Sequence, residues 1–206
     1  MAYNSNYGNS FQRTTPIVLN LIIINVLVFI VQMMFDGPDE KISNMIALWP
    51  YSTPYFKPYQ LVTHMFAHGG MIHILFNMYA LWMFGSVLEK VWGPKRFLIF
   101  YLACGLAAGV AQLMLSDAPA VGASGAIMGL LAAFAYLFPN TQFYIIPFPF
   151  PIKAKYIVAI IAAIDLFGGF HGGKTDNIAH FAHLGGLVMG FILVLIWNKT
   201  NKKTFY

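Results

Sequence analysis

One serine, three histidines and one asparagine in an otherwise apolar chain have the types and the spacing to do chemistry together. Ser124 lies in Gly122-Ala-Ser-Gly-Ala-Ile-Met-Gly129, a small-residue turn that opens an apolar run. His180 and His183 are three residues apart, and His73 and Asn77 four apart, so each pair shares one face of a helix. A hydroxyl within hydrogen-bond reach of an imidazole is an activated nucleophile, and donors aimed at a carbonyl oxygen stabilise the oxyanion that attack creates. Ser124 and one of the two later histidines supply that pair. His73 and Asn77 are candidate side-chain donors. A helix N-terminus at Ser124 would add unpaired amides and the positive dipole end, both favouring negative charge. No aspartate stands at an obvious spacing to orient either histidine, so the expected unit is a serine–histidine dyad rather than a triad.

The elements that must carry these residues are membrane helices. Hydrophobic residues make up 59% of the chain and charged ones only 9%, against about 25% charged in soluble domains. Crossing a bilayer takes about 20 apolar residues, and six runs approach that length, at about 17–35, 72–90, 96–115, 124–138, 154–170 and 178–197. The expected fold is an all-α membrane protein, a compact bundle of six transmembrane helices. The membrane domain should occupy 17–198, between tails at 1–16 and 199–206. The first run lacks a small-residue cleavage site after a short apolar core, so it should remain as a helix rather than be removed as a signal peptide.

Loop charge sets the expected orientation. With the N-terminus inside, Arg13, Lys90, Lys95, Arg96, Lys153, Lys155, Lys199, Lys202 and Lys203 face the cytoplasm, and only Lys41, Lys57 and Lys174 face out. Both termini are then cytoplasmic and the membrane is the plasma (inner) membrane. The net charge of +5 reads as loops facing anionic headgroups, with no basic, aromatic-interleaved stripe that would mark a nucleic-acid partner. The fourth run, 124–138, spans only about 22 Å. If its inner end reaches the cytoplasmic interface at Pro139-Asn140, Ser124 stops below the outer surface, and irregular backbone at that depth needs a polar cavity. His73, Asn77, His180 and His183 fall at the same depth.

Small residues let these helices approach. Gly125-x-x-x-Gly129 and Gly186-x-x-x-Gly190 are spaced for helix backbones to touch, which would make the serine and histidine helices neighbours. The lone Cys104, inside the third run, reads as a small packing residue. The 36–71 connection, rich in tryptophan, tyrosine and phenylalanine, should lie at the membrane interface and pack on the bundle rather than float as a linker. The proline-bearing 138–151 connection reads as a simple rigid linker.

Taken together, His73-Ile-Leu-Phe-Asn77, Glu89-Lys90 with Gly93, Gly122-Ala-Ser124-Gly125, Asp165-Leu-Phe-Gly168 and Ala182-His183-Leu-Gly-Gly186-x-x-x-Gly190 make the chain resemble a rhomboid intramembrane serine protease over about 45–200. That resemblance implies Ser124 as nucleophile, His183 as general base and acid, and His73, Asn77 and the Ser124 amide as the oxyanion hole. The substrates it implies are transmembrane proteins in the lipid bilayer, cut in or near their helices, with no cofactor and no metal. The chain departs from the family at Met128, where relatives often place a tyrosine that stacks on the catalytic histidine. It departs again at Tyr59-Gln60, where a tryptophan–arginine pair is frequent. Met128 and His180 are expected to line the cavity.

Plainer readings stand beside these. A serine in an apolar helix commonly bonds its own backbone, and Asp165 reads as a structural residue bonded to neighbouring backbone. His64 and His68 should pack the base of the first loop, His171 should be a solvated loop residue, and Glu89 and Lys90 should fasten the inner loop. His73, His180 and His183 could instead ligate zinc in a transport protein, but that leaves the Gly-Ala-Ser-Gly turn unexplained. An inactive helix-binding relative would typically have lost the serine or the histidine.

Overall fold

A computed structural model of the 206-residue chain describes residues 15–144, 150–171 and 178–200. Each apolar run folds as a helix, because only a helix satisfies all of its backbone groups internally. Proline at the first position starts α1, Pro16–Phe35, where its missing N–H costs nothing. A short α2, Lys41–Ile46, follows. Then come α3, Gln60–Thr63, with a 3₁₀ turn at His64–Phe66, and α4, Met71–Ala80. A π-helical turn at Leu81–Gly85 joins α4 to α5, Ser86–Trp92, and Gly93 separates α5 from α6, Pro94–Leu115. The remaining helices are α7, Ser124–Leu137, α8, Ala154–His171, and α9, His180–Thr200.

Five stretches are long and apolar enough to cross a membrane: Pro16–Phe35, Met71–Trp92, Pro94–Leu115, Ala154–His171 and His180–Lys199. The fourth predicted run is the exception. At 14 residues, α7 is only about 21 Å long, and it is also the most enclosed helix, with Gly125, Ala126, Ile127, Gly129, Leu130, Ala132 and Ala133 buried. The tails lie largely outside the described residues, as do Arg13, Lys174, Asp176, Lys202 and Lys203.

The core is built around α7, packed between α6 and α9. A Cβ added to Gly186 would land on the Gly125 carbonyl oxygen, and one added to Gly190 would come within 2.5 Å of Gly129 Cα. One on Gly129 would strike Cys104 Sγ, so the buried cysteine fills a gap only a small side chain fits. At the far end from Ser124, Trp92 packs on Phe100 and Trp197, with ring centroids 4.7 and 5.4 Å away. Buried Glu89 reaches across there to accept the N–H groups of Ile17 and Val18 at 3.0 and 2.8 Å. It therefore fastens the open N-terminus of α1, not the loop beside it.

The first long connection is a folded part of the bundle. Leu48, Met65 and Ala67 are buried, and Leu48 pairs with Ala120 through N–H···O bonds of 2.9 and 3.0 Å. Gln60 binds four backbone groups of this connection. Its Oε1 accepts from the Trp49 and Lys57 amides, and its Nε2 donates to the Met45 and Tyr55 carbonyls.

The 138–151 connection is not a plain linker. Gln142–Phe143 pairs antiparallel with Ile152–Lys153, because the Phe143 ring docks on Phe84 and Phe134 at 5.7 and 5.8 Å and draws the strand onto the bundle. Pro147 and Pro149 lie outside the described residues.

If direct backbone contact holds α7 to α9, Gly186→Val should lower unfolding stability in detergent by at least about 2 kcal/mol, since overpacking of this kind typically costs 1–3. A thermal unfolding curve that superimposes on the wild-type one would contradict the contact.

Candidate active site

The turn before α7 is fixed residue by residue. Gly122 has φ +120, a conformation that costs other residues dearly, and a Cβ there would lie 2.8 Å from His73 Nε2. Its N–H donates to the His64 carbonyl at 2.8 Å, and the Gln112 amide donates to the Ala118 carbonyl at 3.0 Å. Ser124 is therefore the first residue of α7 on a preset entry, and the amides of that first turn have no partner within the helix.

On α9, the Ala182 carbonyl lies 3.3 Å from where a Gly125 Cβ would stand. That closeness brings His183 to the serine: His183 Nε2 lies 2.8 Å from Ser124 Oγ. The two are 59 residues apart in sequence.

A carboxylate stands beyond this pair. Asp165, on α8, does not bond neighbouring backbone. Its Oδ1 lies 3.0 Å from His183 Nδ1 and 2.8 Å from His180 Nδ1. A serine, a histidine and a carboxylate stand in line, and the carboxylate is shared with a second histidine. Sequence spacing missed it because the pairing crosses from α8 to α9. The available signal was that Asp165 is the one acidic residue in its apolar run.

His180 is buried on Asp165. It edges a groove of about 520 Å³ shared with Ile160, Ile164, Phe167 and Gly168. Met128 stands one turn into α7, half-buried.

His73 flanks the Gly122 turn, and its Nδ1 accepts the Gly69 N–H at 3.4 Å. Its Nε2 then carries the proton and is a donor. Asn77 is buried one turn along, with an amide N–H on the His73 carbonyl at 2.9 Å. His64 and His68 pack the base of the first loop: His64 Nδ1 meets the Gln60 carbonyl at 2.8 Å. Gln32 both accepts the His68 N–H, at 3.0 Å, and donates to its carbonyl, at 3.3 Å. His171 is the exposed last residue of α8, stacked on Phe167. Among the described residues no cluster of three or more His, Cys, Asp or Glu could hold a metal ion.

Five long apolar stretches around a short central helix, with a half-buried serine–histidine contact at its mouth, define a polytopic membrane protein of hydrolase-like site geometry. The chain belongs to the rhomboid family: the Rhomboid domain model matches residues 55–199, which include every residue of this site. It is similar to Rhomboid protease GluP of Bacillus subtilis (strain 168), 31% identical over 88% of this chain and 35% of the relative. It is also similar to Rhomboid protease GlpG of Yersinia pseudotuberculosis serotype I (strain IP32953), 28% identical over 90% of this chain and 64% of the relative. The chain thus spans less than two thirds of the length of either relative.

Burial, reinforced by the adjacent His73, holds the His68 ring down to about 4 from an ordinary 6.5, against a hydrogen bond to the Phe66 carbonyl that pulls it upward. A histidine lowered on folding binds fewer protons in the native state. Its contribution is complete above about pH 6.5 and is lost as pH falls toward 4. Thermal unfolding between pH 7.5 and 5 should therefore show a larger loss for the wild type than for His68→Gln. Equal losses would mean that this ring is not held neutral.

Proposed function

We propose that the chain is an intramembrane serine endopeptidase that hydrolyses peptide bonds in or next to the transmembrane helices of membrane-protein substrates. The observation that carries this reading is the 2.8 Å contact between Ser124 Oγ and His183 Nε2, set at the mouth of a helix too short to reach across the bilayer. Ser124 is the nucleophile. As Oγ bonds to the scissile carbonyl carbon, its proton passes to His183 Nε2 and the carbonyl π electrons move onto oxygen. The oxyanion is received by the Ser124 amide, His73 and Asn77. Collapse breaks the C–N bond as His183 returns the proton to the leaving amine, and a water activated by the same ring then cleaves the acyl-enzyme.

The lysine and arginine distribution supports cytoplasmic termini and a Ser124 end that opens to the outer face of the plasma membrane, from which water enters. A substrate helix enters laterally between α4 and α8. Toward the Leu137 end of α7 an apolar opening of about 530 Å³ lies between Phe76, Tyr79 and Met83 on one side and Ile157 and Val158 on the other. A helix satisfies its own backbone, so it must unwind locally before a carbonyl reaches Ser124. Small or helix-breaking residues near the cut are favoured for that reason.

Ser124→Ala and His183→Ala should each lower cleavage of a model transmembrane substrate in detergent by more than about 10⁴-fold, the scale typical of losing a nucleophile or its base. A fluorophosphonate should label the wild type and not Ser124→Ala, and chelators should leave turnover unchanged. Turnover retained in either variant would refute the pair, and loss on chelation would revive a zinc site.

Asn77→Ala should reduce kcat by about 100-fold, the usual worth of one oxyanion donor, with little change in KM. A change confined to KM would assign Asn77 to substrate binding instead.

A further inference from the structure

Gln32 sits in the last turn of α1, 4% exposed, with its whole amide engaged. Oε1 accepts the His68 N–H at 3.0 Å, and Nε2 donates to the Ser43 hydroxyl at 2.6 Å and to the His68 carbonyl at 3.3 Å. An amide oxygen only accepts and its nitrogen only donates, so these bonds admit one orientation. Turned over, the group would set oxygen against the His68 carbonyl and N–H against N–H. The Ser43 hydroxyl is free to accept because its own proton goes to Asp36 Oδ2, while Asp36 Oδ1 accepts the Ile42 and Ser43 N–H groups. The end of α1 and the start of α2 thus form one unit that grips the backbone of a residue 36 positions away.

The gripped residue leads straight into α4, which carries His73 and Asn77. After His68, the Gly69 N–H donates to His73 Nδ1 at 3.4 Å, and Gly70 is the N-cap of α4, its carbonyl taking the Ile74 N–H at 3.1 Å. The His68 and His73 rings meet edge to face with centroids 5.1 Å apart. Gly69 and Gly70 bring no side chain that could hold this segment, so the hold comes from His68 and therefore from Gln32. His73 Nε2 lies beside the turn before α7: a Cβ on Gly122 would be 2.8 Å from it and 3.6 Å from Ser124 Oγ. A bond accepted at Nδ1 keeps the ring hydrogen on Nε2, the atom on the Ser124 side.

We propose that Gln32 is a positioning residue of this reaction: by clamping both backbone groups of His68 it fixes the Gly69 amide, which holds His73 with Nε2–H available to the oxyanion. The proposal rests on the reading of Ser124 as nucleophile and His73 as oxyanion donor. Gln32 itself touches no substrate and moves no proton. Its effect is geometric, and a shift of about 1 Å at a reacting centre can cost about 100-fold in rate.

The test uses the full chain in detergent with a fluorogenic transmembrane substrate. Gln32→Met keeps the length of the side chain and loses its three bonds. It should lower kcat by about 10- to 100-fold, with KM within about twofold of wild type. His73→Ala should lower kcat by about 100-fold, the usual worth of an oxyanion donor. Adding Gln32→Met to His73→Ala should then cost less than about twofold more, because both changes act on one interaction. Nitrogen-15 spectra, with His73 assigned by its loss in His73→Ala, should show that ring protonated at Nε2 and bare at Nδ1 in the wild type, and divided between tautomers in Gln32→Met.

A Gln32→Met enzyme with kcat within about threefold of wild type overturns the proposal, as does a loss carried wholly by KM. So do losses that multiply in the double variant, the mark of a residue that supports the fold without acting through His73. If Gln32→Met does not fold, the same cycle is run with Gln32→Glu, which can accept the His68 N–H but cannot donate. A wild-type His73 protonated at Nδ1 overturns the proposal without any variant. An inert wild type that takes no phosphonate label at Ser124 sinks the protease reading, and a fully active His73→Ala enzyme sinks the oxyanion reading. Both differ from a labelled, His73-dependent enzyme indifferent to Gln32.

Discussion

The contact on which the rest of the structure depends is the backbone-to-backbone approach of α7 and α9. Lipid tails are as apolar as leucine, so no hydrophobic force draws two membrane helices together, and association rests on close packing and hydrogen bonds. Gly125, Gly129, Gly186 and Gly190 remove the side chains that would keep the two axes apart. On the other flank of α9, a Cβ at Gly185 would meet Ala111 and the Ala107 carbonyl of α6. Only at that separation can a short side chain such as serine reach a histidine on the facing helix. The Ser124–His183 distance is set by glycines rather than by either residue of the pair.

Polar side chains inside the bundle do the complementary work of fastening ends and loops. Glu89 accepts the first amides of α1, Gln60 binds four backbone groups of the first loop, and Gln32 binds both backbone groups of His68. Each gives two or more bonds to groups otherwise left unpaired, which is the condition under which a buried polar side chain stabilises rather than costs. With the first loop held, the His64 carbonyl is in place to take the Gly122 N–H, and so the loop at one side of the bundle sets the entry of α7.

Much of this was legible in the sequence because its signals are local. Apolar runs gave the helices to within a few residues, the shortness of the 124–138 run was visible as a count, and glycine spacing paired α7 with α9. His183 was singled out by family resemblance, since three-residue spacing alone left His180 equally eligible. What stayed hidden depends on packing between segments. The Gln142–Phe143 ladder follows from where the Phe143 ring docks. Gln60 looked like the loss of an arginine, yet its one primary amide serves four backbone amides and carbonyls around it. Asp165 was visible as a carboxylate in an apolar run, but its partners lie 15 and 18 residues away on another helix. The lack of a familiar spacing left Asp165 read as a carboxylate bonded to backbone, whereas it meets two histidine rings.

The helices around the site are held by unlike forces, and the difference bears on its geometry. α6, α7 and α9 meet through small residues in dry contact, a mode of packing that tolerates little displacement. α8 buries only Ala154 and Asp165, and beside the site it meets α9 through the Asp165 carboxylate on His180 and His183 and through Phe170 on Phe181. Ser124 is therefore located by the tightly packed part of the bundle, and the α7–α9 contact fixes the His183 backbone opposite it.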